Sequence, residues 1–313
     1  MNTYYRKMKK NNKQLNNKKY MIPKLIHYCW FGRGPMPKVV LWCIDSWKKK
    51  CPDYTIKLWN EDNFDVNSVP FTKQAYDAKK WAFVADYVRI YALYHEGGIC
   101  IDADEYVLKS FDDLLDNRLV SCHEYYPGIF EPYFKELNPA DWLPYGDEKW
   151  INRAGLSLCA NPLMGERHHP FFKDCLDYYN SIDFNYDANS EPYKLQIVGN
   201  LITKIAINYG YCYNIKIQTL KDGIVVLGPE TFILNSLFYD RKKSYVIHMA
   251  LGSWKNDVNQ VAWRMRLLKS HPSVSLMILK LTCFLRRIKY LFISQHEINR
   301  RMGNFWNDVD FTV

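Results

Sequence analysis

A chain of 313 residues with 48% hydrophobic and 16% aromatic content can bury a sizeable core, which excludes a disordered protein. The net charge of +9 sits in the tails: residues 1–20 carry +7 and residues 264–313 carry +6, leaving −4 between them. A mildly acidic body excludes a nucleic-acid groove built into the fold, while basic tails suit contact with an anionic membrane.

Residues 1–20 are Lys/Asn-rich and aperiodic, which predicts a solvated tail. They hold no apolar run, so no secretory leader is expected. Nine scattered cysteines without a CxxC pair read as free thiols of a reducing compartment, hence a cytoplasmic location. Residues 22–31 (IPKLIHYCWF) predict a first strand, with a loop at Gly32–Pro35 and Trp30 at its carboxyl end. A helix is expected over 37–50, a second strand over 54–59 and a helical stretch over 72–96. In that stretch Phe83, Tyr87, Ile90, Tyr91 and Tyr94 recur at helical spacing. Asp86 and Arg89 sit three apart and share one face. Gly97-Gly98 stops the helix, and Ile99–Ile101 suits a buried parallel strand. Asp102 and Asp104 flank Ala103 at its end. In open α/β sheets ligands gather at the carboxyl ends of strands, and paired carboxylates there suit a hard divalent cation.

Further on, Val107–Leu115 reads as an edge element running into a surface helix. Strands are expected at Leu119–His123 and Leu156–Ala160. Between them, 124–153 is a long Pro- and aromatic-rich insertion suited to shaping a polar substrate's pocket. His168-His169-Pro170 precedes a helix to Tyr179, and the paired histidines read as structural. A helix is expected over 195–209, beginning near Gly199, with late strands at Ile224–Leu227 and Tyr245–His248. His248 becomes a metal ligand only if the fold returns it to the aspartates. Residues 258–296 read as helical and basic. Their apolar core, Val274–Leu285, is too short to span a bilayer; it packs on the body or lies in a membrane interface. The organisation expected is a basic tail (1–20), an α/β domain (21–257) and a basic helical C-terminal extension (258–313).

These residues suit chemistry on a nucleotide-sugar. Asp102 and Asp104 supply hard ligands, and a cation there stabilises charge on a departing diphosphate. Asp86 can accept from sugar hydroxyls. Arg89 can donate to a phosphate or orient Asp86. Trp30 can stack a base. A strand ending in DxD also marks aspartate-nucleophile phosphatases, but these want Thr or Val where Tyr106 stands. A catalytically silent binding protein is the other alternative, and the intact acidic and basic set argues against it.

The string ADYVRIYALYHEGGICIDAD resembles the DXD-containing sugar-binding region of glycosyltransferase family 32. IPKLIHYCWFG is similar to that family's first strand, where Ile-Pro-Lys and His-x-x-Trp recur. The resemblance covers residues 22–116, with an echo at His248–Trp254. The family includes capsular polysaccharide transferases, yeast initiating mannosyltransferases and, more distantly, clostridial glucosylating toxins. It implies a GT-A fold, a Rossmann-like mixed sheet flanked by helices, that binds a nucleotide-sugar with Mn²⁺ or Mg²⁺ and transfers with retention. By position, Asp102 would meet the ribose or the metal, and Asp104 and His248 the metal. Asp86 and Arg89 would hold the donor sugar, Trp30 the base, and Ser253 and Trp254 the diphosphate. The activity expected is a hexosyltransferase using a UDP-linked donor and a saccharide or lipid-linked acceptor in bacterial surface polysaccharide synthesis. Such an enzyme is expected on the inner face of the cell membrane as a peripheral protein. Two positions depart from the family: Cys100 stands where an aromatic is usual, and Ala85 where serine is usual.

Overall fold

Strand β1 (Leu25–Cys29) pairs in parallel with β2 (Thr55–Trp59), Leu25 opposite Thr55 and Cys29 opposite Trp59. Helix α1 (Lys38–Lys50) makes the crossover between them. Parallel neighbours require such a crossover, and its last turn holds Lys48, Lys49 and Lys50, which suit the helix's negative end. The computed structural model describes residues 22–126, 130, 137, 155–185, 198–233, 239–249, 270–274, 276–278, 280, 281 and 285. The N-terminal tail and most of the C-terminal extension lie outside them, as do Ser253, Trp254 and most of the 124–153 insertion.

The expected single helix over 72–96 is two helices, α2 (Pro70–Asp77) and α3 (Trp81–Glu96). The Lys80 N–H donates to Ala75 O and the Lys79 N–H to Tyr76 O, both at 2.9 Å. This pair of bonds is a Schellman cap, and it puts Lys79 in the left-handed region at φ 58°. Glycine is the usual signal for such a cap, and Ala78-Lys79-Lys80 carries none.

Gly97 ends α3 at φ 68° and Gly98 follows at φ 106°. A Cβ on Gly98 would stand 2.5 Å from Leu25 O, so the close approach of β1 demands glycine there. His27 locks the same corner. Its Nε2 donates to Gly97 O at 2.8 Å, and its Nδ1 accepts from the Trp59 indole at 3.0 Å. Burial lowers its pKa, which suits this neutral ring.

Strand β3 (Gly98–Cys100) then lies parallel to β1. The remaining strands are β4 (Glu105–Val107), β5 (Leu119–Tyr125), β6 (Leu156–Leu158), β7 (Leu163–Gly165), β8 (Gln218–Thr219), β9 (Ile224–Leu227), β10 (Phe232–Ile233) and β11 (Val246–His248). The main sheet runs β2-β1-β3-β7-β5-β9-β8, with β6 on β5. β7 is antiparallel to both β3 and β5, so β3 has a parallel neighbour on one side only. A smaller sheet runs β10-β11-β4.

Alternation divides the core into two layers. Cys100, Leu119, Leu163, Ile224 and Val226 face α2, α3, α4 (Pro170–Asn180) and α5 (Val198–Ile207). Ile26, Ile99, Val120, Met164 and Val225 face α1 and the smaller sheet. This mixed sheet flanked by helices is the α/β architecture expected.

The surface helix expected after Val107 does not form. Residues 112–116 are turns, with Leu114 N–H to Phe111 O at 2.8 Å and Asn117 N–H to Leu114 O at 3.3 Å. Leu115 O accepts from Ile22 N–H at 3.0 Å, so the carbonyl a helix would use is spent on the chain's first described residue. His169 is structural as expected: buried, it caps α4 by accepting from Phe171 N–H at 3.2 Å. The eight described cysteines are free.

Lys79 is exposed, so its backbone conformation dominates its contribution. Lys79→Gly is expected to be more stable than Lys79→Ala by about 1 kcal/mol, read from urea unfolding midpoints at constant slope.

Candidate active site

Helix α3 and the end of β3 meet through one guanidinium. Arg89 is 3% exposed. Its Nη1 donates to Asp86 Oδ1 at 3.0 Å and its Nη2 to Asp102 Oδ1 at 2.6 Å. The spacing of three along α3 brings Asp86 under Arg89, and Gly97-Gly98 turns the chain so that Asp102 faces back onto it. Asp102 Oδ2 accepts from Asn161 Nδ2 at 2.7 Å, and the Asp102 N–H donates to Glu105 Oε2 at 3.1 Å. Each Asp102 oxygen therefore has a donor, which fixes the carboxylate's plane.

Asp86 Oδ2 takes the Val198 N–H at 3.4 Å, at the positive end of α5. Burial pushes the Asp86 carboxyl up; Arg89 opposes this and the Asp102 charge adds to it, leaving a pKa of about 6.

Asp104 meets the late strand. β11 pairs antiparallel with β4, His248 opposite Glu105. Met249 N–H donates to Asp104 O at 3.0 Å. His248 Nε2 then lies 3.2 Å from Asp104 Oδ1 and 3.9 Å from Asp102 Oδ2. One ligand atom from each of Asp102, Asp104 and His248 falls within 4.8 Å of the others. Two hard carboxylate oxygens and an imidazole nitrogen fit a small divalent cation such as Mn²⁺ or Mg²⁺. Burial alone would lower the His248 pKa, but Asp104, Glu105 and Asp102 raise it to about 10. The cluster thus favours a positive charge at this point, and a bound cation would take the place of the imidazole proton.

Trp30 follows β1, level with Ala103 by the register that sets His27 opposite Cys100. Its half-buried ring packs in the same apolar cluster as Ala103, and its indole N–H donates to Gly34 O at 2.7 Å. Cys100, the first departure, is buried against Arg89; burial pushes its thiol up to about 12, so it is inert. Ala85, the second, offers its carbonyl 3.9 Å from Cys29 Sγ.

Sequence reasoning missed two residues of the site. Glu105 is 1% exposed, and burial holds its carboxyl well above the usual carboxylate range. Its backbone oxygen accepts from the Trp47 indole at 2.7 Å, which ties α1 to the site. A third acid directly after Asp104 was the available signal. Asn161 gave none beyond a neighbouring proline. Its Oδ1 is buried without a hydrogen-bond partner among the described residues.

Comparisons with known proteins fit this geometry. Residues 37–120, from α1 to the start of β5, match the family model "Glycosyltransferase sugar-binding region containing DXD motif". The chain is 23% identical over 298 residues to inositol phosphoceramide mannosyltransferase 2 of Schizosaccharomyces pombe, covering 91% of this chain and 72% of that protein. It is 26% identical over 181 residues to inositol phosphoceramide mannosyltransferase 3 of the same yeast, covering 56% of this chain and 42% of that protein. A solved structure titled PaToxG Glycosyltransferase superposes with a TM-score of 0.42 at 17% identity, over 64% of this chain and 76% of that one. The matched region spans Asp86, Arg89, Asp102 and Asp104, and it is here that the chain is similar to glycosyltransferases carrying a DXD motif.

Proposed function

We propose that the protein is a retaining, metal-dependent hexosyltransferase that moves a sugar from a nucleotide-sugar, UDP-linked in our reading, to a saccharide or lipid-linked acceptor. The observation that carries this reading is the meeting of Asp104 and His248 beside an Asp102 that Arg89 holds in place. Asp102, Asp104 and His248 would hold the Mn²⁺ or Mg²⁺, which supplies Lewis-acid stabilisation of the departing diphosphate, worth several kcal/mol. Arg89 orients both carboxylates and cancels part of their charge. Asp86 accepts from the donor sugar's hydroxyls, and Trp30 stacks the base. Ser253 and Trp254 close on the diphosphate.

A lipid-linked acceptor draws support from two sides. The basic tails suit an anionic membrane, and both curated relatives are named for an inositol phosphoceramide substrate. The setting in bacterial surface (capsular) polysaccharide synthesis rests on the family resemblance. The protein would then work in the cytoplasm, as a peripheral protein on the inner face of the membrane. No helix among the described residues is long and apolar enough to cross a membrane.

Asp104→Ala is expected to lower transfer about a thousandfold or more while the far-ultraviolet circular dichroism stays that of the wild type. Unchanged metal-dependent transfer in that variant would overturn the assignment. Retention is read on the product: the anomeric proton coupling should report the donor's own configuration, and the opposite anomer refutes it.

Asp86 yields a pH prediction. Its folded pKa of about 6 lies above the ordinary aspartate value of 3.8, so the folded protein holds the proton more tightly. Its stabilising contribution is complete below about pH 4 and is lost as pH rises through 6. Asp86→Asn should therefore be more stable than wild type above pH 6, by up to about 3 kcal/mol. The gap should close toward pH 4, and transfer should fall about a hundredfold. Urea unfolding at both pH values, beside a transfer assay, measures both effects.

A further inference from the structure

Leu276 is 8% exposed and packs with Val39, Cys43, Ile247 and Met249. It lies in a helical stretch whose described helical residues include 272–274, 276–278, 280, 281 and 285. At about 100° per residue, Val274, Met277, Leu281 and Leu285 fall in an arc of about 80°, on the side away from Leu276. They are 37%, 62%, 53% and 56% exposed. The helix therefore sets Leu276 on the body and turns these four apolar side chains outward. A surface helix normally turns charge outward, and a continuous exposed apolar stripe marks an interaction site.

Positive charge borders the stripe. Lys280 Nζ stands 5.8 Å from the Tyr239 ring centre, close enough to Arg241 and Lys50 to feel their charge. Lys50 and Arg241 are exposed, and α1 ends on three lysines. Along the sequence, Arg264, Arg266 and Lys269 precede the stripe, and Arg286, Arg287 and Lys289 follow it. A second copy of the chain would set this positive border against itself. An anionic lipid surface satisfies both features at once: headgroup phosphates meet the amines, and the acyl boundary takes the stripe.

We propose that this helix docks the protein on an anionic membrane, with Val274, Met277, Leu281 and Leu285 inserted and Lys50, Arg241 and Lys280 against lipid phosphates. Ile247 and Met249, which share the apolar cluster of Leu276, flank His248. The docked face is thus about one helix diameter, roughly 10 Å, from the strand that brings in His248. Placing the site within reach of a lipid-linked acceptor rests on the function proposed above; the docking itself does not.

The test uses the full chain and sedimentation with two sets of vesicles, one neutral and one with about a third phosphatidylglycerol. Wild type should bind the anionic vesicles at least about tenfold more tightly, and less so at about 0.5 M salt. Met277→Glu/Leu281→Glu should lower that binding at least about tenfold. Met277→Ser/Leu281→Ser, which adds no charge and disturbs folding less, should lower it several-fold. Nucleotide-sugar hydrolysis in solution should stay at the wild-type rate in both. Equal vesicle binding by wild type and both variants overturns the proposal. So does a wild-type dimer in sedimentation velocity that Met277→Glu/Leu281→Glu dissolves. Stripe-dependent vesicle binding without any hydrolysis supports the docking and counts against the transferase reading instead.

Discussion

Arg89 is the constraint on which the site depends. A guanidinium 3% exposed must be compensated, because an unpaired buried charge is costly. Asp86 and Asp102 supply the compensation from opposite directions, one on the same helix and one beyond the glycine corner. The bridge fixes how the end of β3 leaves the sheet. Asp102 cannot swing to solvent without stranding the arginine, so Asp104, two residues on, is delivered to a defined place. Asp86 is held partly against its own preference, which is the kind of tension expected where carboxylates are gathered for binding.

Much of this was legible because it is local. The Asp86/Arg89 spacing, the glycine pair and the two aspartates lie within one short run, and helix and strand periodicity placed them correctly. His248 was legible only as a condition, since the sequence offers no measure of which strand pairs with which. The pairing of β11 with β4 met that condition. Glu105 was passed over because an acid at the start of a strand reads as surface, whereas burial among other acids is a tertiary fact. Asn161 stands just before β7, and its contact with Asp102 follows from the pairing of β7 with β3, which no local pattern announces.

The misread helix has a related cause. Apolar residues run through 72–96 at helical spacing, so periodicity sees one element. The break lies in backbone hydrogen bonds around Lys79, and lysine is a good helix former that gives no warning. The same limit applied after Val107. Three apolar side chains at Phe111, Leu114 and Leu115 suited a helix, and all three are buried. The backbone there bonds to Ile22 instead of extending a helix.

The smaller sheet divides the candidate metal-ligand cluster between an early and a late part of the chain. Asp102 and Asp104 belong to a compact early segment, while the imidazole arrives from 144 residues downstream. Closing so long a loop is entropically slow, so a nascent chain would carry its acids as an open, repulsive group until β11 docks. As a candidate ligand, the imidazole nitrogen would then act as a mark of completion. Only a molecule that has finished threading presents all three atoms together, and an ion seated among them would hold the late strand to the early one.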